Sequence, residues 1–179
     1  MGEGQIYPLQ GVISKPDPPG SVFYFFNQVP IEEIKERMEA RYSQTITDAD
    51  IKAFAGISED RNLVHLDEEY VENSRYKKRI AHGIISSLFF SALFGTKIPV
   101  EGCVYVAQSL QIKRPVYLGG TVTAIITVIK TDLNKRRVFF RTTCKVKNKV
   151  VIDGEAEFYV QKINMITIEL LVYLLGNKI

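Results

Sequence analysis

Six consecutive residues, Asp60 to His65, bring a carboxylate, an amide (Asn62) and an imidazole together in a chain that has only two histidines. The other histidine, His82, stands beside Gly83 at the head of an apolar run. A carboxylate and an imidazole five residues apart across a turn can point at a common centre. Such a pair could do the work of general acid–base catalysis. Each residue also has a plainer reading. Asp60 and Asn62 are types that make turns by accepting backbone N–H groups. His65 and His82 could be structural histidines satisfied by nearby backbone.

The elements that must position these groups can be read around them. Thr47 or Asp48 can cap a helix whose apolar positions Ile51, Phe54 and Ala55 recur at helical spacing, with Gly56 as its end. Residues 57–79 then form a polar, mostly irregular crossing, with a short helix near residues 67–73. Loops of that length inside a compact domain are uncommon and often functional. Residues 81–95 are apolar all round for three to four turns, and a helix hydrophobic on every face must be wrapped by other structure. Four strand-like runs follow, at 102–116, 120–132, 136–147 and 149–163, separated by short turn signals that favour a consecutive antiparallel meander. One apolar helix with four or five long strands predicts an α+β domain, a sheet curled around a helix.

The flanks are weaker. Residues 14–21 are dense in Pro and Gly and cannot sit in a helix or central strand. Residues 22–26 read as a strand or a packed segment. Residues 30–42 read as a helix opening on Pro30, with Glu32/Glu36 and Glu33/Arg37 at solvated-face spacing. In the tail, Leu170, Leu171, Leu174 and Leu175 suit a short helix, while Ile166 and Ile168 suit a strand.

Bulk composition narrows the classes. The 179 residues are 46% hydrophobic and 24% charged, with a mean hydropathy near zero, as in an ordinary globular domain. A formal charge of +3 suits a small anionic ligand and makes no case for nucleic acid. No apolar run reaches the ~18 residues of a membrane span. The first ten residues lack the pattern of a secretory signal. Cys103 and Cys144 sit far apart in apolar, strand-like contexts and read as buried free thiols, so a cytoplasmic setting is expected.

The run Asp60-x-Asn62-x-x-His65-Leu66-Asp67, followed about fifteen residues on by Ile80-Ala81-His82-Gly83 with Ser91 eight residues after Gly83, resembles the MaoC-like, (R)-specific enoyl-CoA hydratase family. Residues 102–124 add a stretch similar to that family's strand ending in a Pro-Val-x-x-Gly turn. The resemblance covers residues 45–162, leaving 1–44 as a lead-in with a short helix and 163–179 as a C-terminal extension. It departs from the family pattern at Leu63, where Pro is usual, and at Gly120, where Asp is usual. Neither change removes a reacting group.

The resemblance implies a hot-dog fold: an antiparallel sheet wrapped around a long central helix, dimerised with a second copy. It implies reversible hydration of trans-2-enoyl-CoA to (R)-3-hydroxyacyl-CoA in fatty-acid metabolism, with no metal and no cofactor beyond the thioester substrate. Asp60 and His65 would grip the water, and Gly83 N–H would face the thioester oxygen. Asn62, Ser91 and His82 would support the pair. The same chemistry on an acyl-carrier protein, a (3R)-hydroxyacyl dehydratase, is the alternative carrier. A non-catalytic acyl-thioester-binding subunit and a hot-dog thioesterase are further alternatives. The basic run 75–79 is either a solvated face or a source of cations for coenzyme A phosphates, with Lys113 and Arg114 as rivals.

Overall fold

The structure, a computed structural model, describes residues 30–97 and 103–161. The strand expected at 22–26 and the tail after 162 lie outside the described residues. Five strands form one antiparallel sheet: β1 (Glu39–Thr45), β2 (Cys103–Ile112), β3 (Thr121–Asp132), β4 (Arg137–Val146) and β5 (Lys149–Val160), in the order β1-β3-β4-β5-β2. Helices α1 (Asp48–Ser58), α2 (Leu63–Leu66), α3 (Glu68–Glu72) and α4 (Ile85–Thr96) complete the fold.

Two expectations are corrected. The helix read over 30–42 is a single 3-10 turn, Ile31–Glu33. After it Arg37 takes a positive φ of 70°, Arg37 N–H and Met38 C=O bond across to Val128 at 2.9 and 2.8 Å, and residues 39–45 pair with β3. Exposed i,i+4 charge pairs contribute only a few tenths of a kcal/mol. Seven strand pairings and the burial of Ala40 outweigh them. The sheet therefore begins inside the stretch read as a lead-in.

The consecutive meander holds for β3, β4 and β5 only. β2 pairs with β5 at the opposite edge. Residues 113–120 carry the chain across: Ala81 N–H donates to Val116 O at 2.7 Å, and Gly119 N–H donates to Ile46 O at 2.9 Å. Gly119, at φ 79°, makes the turn into β3, a conformation glycine adopts without steric cost.

α4 lies against β1, β3 and β4. It buries Ile85, Phe89, Phe90, Leu93 and Phe94. Full burial of such a side chain contributes about 1.5–3 kcal/mol. Phe94 stacks on Phe158 with ring centroids 4.0 Å apart. The helix starts later than residue 81, and among the described residues it is not wrapped on every side: Ile84, at its N-cap, and Leu88, Ser91 and Gly95 along it stay exposed on one face. No helix among the described residues is long and apolar enough to cross a membrane.

Candidate active site

Local capping chemistry builds the loop that holds the reactive groups. The Thr47 hydroxyl accepts from Asp50 N–H at 3.3 Å while the Asp50 carboxylate accepts from Thr47 N–H at 2.7 Å, a reciprocal cap that starts α1. That helix runs past Gly56 to Ser58, two residues beyond its expected end, and stops where Glu59 turns left-handed at φ 59°. One oxygen of Asp60 then accepts from Asn62 N–H at 3.2 Å. Asn62 caps α2 by accepting from Val64 N–H at 3.2 Å, and Asp67 caps α3 through Tyr70 N–H at 2.9 Å. Leu63 occupies the first helical position of α2, where proline is also accommodated. So the departure from the family pattern at Leu63 leaves the turn intact, held by the Asn62 cap.

α2 delivers His65 into the interior, where it is 8% exposed. Its Nδ1 lies 2.8 Å from Ile80 O. A carbonyl only accepts, so Nδ1 carries the proton and Nε2 presents a lone pair. Burial is the main cause holding the imidazole below its ordinary pKa; the Ile80 carbonyl opposes it, His82 adds to it, and Asp60 opposes it. His82 is stacked on His65, with centroids 3.8 Å apart and planes at 31°. By the same reasoning its Nε2–H donates to the backbone oxygen of Asp60 at 2.9 Å. That bond ties the Asp60 loop to the head of α4.

One ligand atom each from Asp60, His65 and His82 lie within 4.8 Å of one another. Two acceptors sharing one tetrahedral water are about 4.6 Å apart. The spacing suits a single water held between carboxylate and imidazole. Two imidazoles and a carboxylate are also donors that divalent ions accept.

A cavity of about 290 Å³ opens beside the pair. His65, His82, Gly83 and Ser86 line it, with apolar walls from Ile112, Val116 and Ile152. Asp60 is exposed and is not part of that wall. α1, α2 and α3 all have side-chain caps, whereas α4 has none. Gly83 N–H, just before α4, has no backbone partner among the described residues, and a helix N-terminus favours negative charge. A Cβ on Gly83 would meet Ile112 Cδ1 at 2.6 Å, so glycine lets β2 close over this point.

Ser91 lies elsewhere. It is on the exposed face of α4 and does not line the cavity. Two residues matter that sequence reading passed over. Arg79, 8% exposed, donates from Nε to His65 O at 2.7 Å and pairs with Asp48 at 2.6 Å, although it belongs to a basic run that reads as solvated. Ser86, 1% exposed, sits one turn beyond His82 among apolar residues; neither its hydroxyl nor His82 Nδ1 has a partner among the described residues. Its spacing from His82 was the only signal of it.

Comparison with known proteins converges on one family. The model of the MaoC like domain matches residues 30–154. The chain is 50% identical over 125 residues to an (R)-specific enoyl-CoA hydratase of Rhodospirillum rubrum, covering 70% of this chain and 87% of that one. It is 35% identical to a mitochondrial 3-hydroxyacyl-[acyl-carrier-protein] dehydratase of Arabidopsis thaliana, covering 70% and 77%. The unliganded R-hydratase PhaJ1 of Pseudomonas aeruginosa superposes with a TM-score of 0.71 at 36% identity, over 76% of this chain and 88% of that one.

Proposed function

We propose a reading that starts from one fact: the chain belongs to the MaoC-like dehydratase family and has its hot-dog fold. It is a hydro-lyase that adds water reversibly to trans-2-enoyl-CoA and yields (R)-3-hydroxyacyl-CoA. The observation that carries this is the placing of Asp60 and His65 within reach of one water, at the edge of a cavity that His65 itself lines.

The chemistry follows from which atoms can accept. His65 Nε2 and the Asp60 carboxylate both accept, so a water between them is held through its two O–H bonds. As His65 Nε2 takes one proton, the water oxygen bonds to C3. The C2=C3 π pair moves toward the thioester, whose oxygen gains charge opposite Gly83 N–H. The imidazolium, kept in place by its Nδ1–H bond to Ile80 O and offset by Asp60, then returns the proton to C2. Both new bonds form on the face that looks at the dyad. Water adds without any change of overall oxidation state, so this step requires no redox cofactor. Donors like Gly83 N–H contribute about 3–4 kcal/mol to such barriers. Asn62 and His82 support the pair by holding the two ends of the loop.

A homodimer is part of this reading. Ile84 and Leu88 at the head of α4, with Val104, Val106 and Ile112 on edge strand β2, leave large apolar side chains exposed. Exposed apolar side chains on a helix and on a sheet edge are the kind of surface that a second copy covers. Ser91 shares the exposed face, so its support would go to the interface. The two free thiols, Cys103 and Cys144, fit a reducing compartment such as the cytoplasm.

Crotonyl-CoA with purified protein tests the activity: the enoyl absorbance should fall, and chiral analysis should give the (R)-3-hydroxy product. Asp60→Asn and His65→Gln should each abolish turnover with the fold retained. No turnover by the wild type on any enoyl thioester, or wild-type rates in either variant, would remove the reading. Release of free thiol would point instead to a thioesterase. The Arabidopsis relative keeps the carrier-protein form of the reaction as the second reading.

A further inference from the structure

Among the described residues, the wall of the cavity beside His65 carries three cations, Arg75, Lys113 and Arg114, and no carboxylate. They come from two segments that also shape the reacting end. Arg75 stands seven residues before His82, and Lys113 follows Ile112, the side chain that closes over Gly83.

All three are oriented without being used up. The Arg75 guanidinium lies 4.7 Å from the Tyr76 ring centroid and donates to the Tyr76 hydroxyl. Lys113 Nζ is 3.2 Å from Asp153, a carboxylate already gripped by Arg141 at 2.8 and 2.7 Å. Two cations therefore share one anion there, and positive charge is left over. Arg114 donates from Nη1 to Val150 O at 2.6 Å. A guanidinium has five N–H donors and an ammonium three, so donors remain at each position.

The rest of the basic run behaves differently. Arg79 is buried and bonded to His65 O and Asp48. Lys77 Nζ donates to Glu72 O at 3.1 Å. Of residues 75–79, Arg75 and Tyr76 line the cavity.

We propose that Arg75, Lys113 and Arg114 form an anion site for the phosphates of coenzyme A, and that this site makes coenzyme A, rather than an acyl-carrier protein, the carrier this chain accepts. The inference rests on the hydratase reading above. The two carriers present the same pantetheine arm to the reacting end. They differ beyond it: coenzyme A brings a diphosphate and a 3′-phosphate, whereas the carrier protein brings one phosphodiester and a protein surface. Three cations on one cavity wall, the Asp153 carboxylate beside Lys113 being shared with Arg141, match the more highly charged ligand. Such attraction works mainly through long-range Coulomb forces and weakens with salt.

The test compares crotonyl-CoA, crotonyl–N-acetylcysteamine (which has no phosphate) and a crotonyl-carrier-protein, using the full chain as wild type, Arg75→Ala, Arg114→Ala and the double variant. Each arginine lost should raise KM for crotonyl-CoA about tenfold. The preference in kcat/KM for the CoA ester over the N-acetylcysteamine ester should fall about a hundredfold in the double variant. Raising salt from about 50 to about 500 mM should raise the wild-type KM for the CoA ester and affect the double variant less. Calorimetric binding of free coenzyme A should weaken in parallel, which tests the site even if the wild type proves to have no hydratase activity. An unchanged CoA preference in the double variant, equal losses on both small thioesters, or better turnover of the carrier-protein ester would overturn the proposal.

Discussion

Arg79 donates from Nε to the carbonyl oxygen of His65 at 2.7 Å, so the proton-carrying residue of the proposed dyad is held from behind by a buried cation. The same guanidinium reaches Asp48 in α1 at 2.6 Å and Glu68 in α3 at 3.5 Å. One side chain thus ties three helices around the reactive loop. Arg79→Met removes the clamp and leaves the His65 carbonyl without its donor. A hydrogen bond from a charged group contributes about 1.5–3 kcal/mol, and urea unfolding should show a loss of about 2 kcal/mol. The loop should loosen as well, with kcat falling. Asp48→Ala should cost less, because its carboxylate is 41% exposed and solvent screens the pair. A stability equal to wild type in Arg79→Met would show that the clamp is not holding the loop.

Acid sensitivity should trace to His65. Burial holds its folded pKa below the ordinary 6.5. Well above pH 6.5 it is neutral folded and unfolded and adds no pH dependence. As pH falls from 6.5 toward the lower folded value, the unfolded chain binds the proton first, so stability declines across that window and levels off beneath it. Activity needs the neutral ring. The acid limb of kcat/KM should therefore have its midpoint below 6.5, and an NMR titration, assigned with His65→Gln, should agree. A midpoint at or above 6.5 would contradict the environment described for this imidazole.

The parts of the molecule that were legible in the sequence are those whose chemistry is local. Thr47 and Asp50 make their cap within four residues, and Asp60, Asn62 and His65 fall on one short bend. What was hidden depends on distant partners. The charge spacing of residues 32–37 suits a helix running on to residue 42, yet residues 39–45 become β1 because Glu39 and the residues after it meet Thr127 and its neighbours across the sheet. β2 neighbours β3 in sequence but pairs with β5. Arg79 hides in a basic run, and its burial depends on Asp48, thirty-one residues earlier. Ser91 matches its motif position, yet it lies on a face of α4 that is exposed among the described residues.

The β2–β5 pairing has its own tight point. A Cβ on Gly154 would lie 1.9 Å from the backbone oxygen of Ser109. Backbone cannot swing away as a side-chain end can, so the edge strand would have to shift. Gly154→Ala should cost more than ~3 kcal/mol and should shift the oligomeric state, since β2 carries exposed apolar residues. Light scattering and thermal melts would check this together. A melt within a degree or two of wild type would mean that the two strands tolerate wider spacing.

Ser86 should behave unlike an ordinary buried serine. Its carbonyl accepts from Cys144 Sγ–H at 3.3 Å, but its hydroxyl is buried without a partner among the described residues. A buried serine with a hydrogen bond loses about 1 kcal/mol when truncated, whereas an unsatisfied hydroxyl already carries a desolvation cost that truncation removes. Ser86→Ala should therefore leave the melting temperature unchanged or raise it, by up to about 1 kcal/mol of stability. His82→Gln provides the contrast: it loses the bond to Asp60 O and the ring contact with His65, and should be destabilised. A clear loss of stability in Ser86→Ala would mean that the hydroxyl is bonded in solution, with an ordered water bridging it to His82 Nδ1 as the arrangement that the spacing of one helical turn permits.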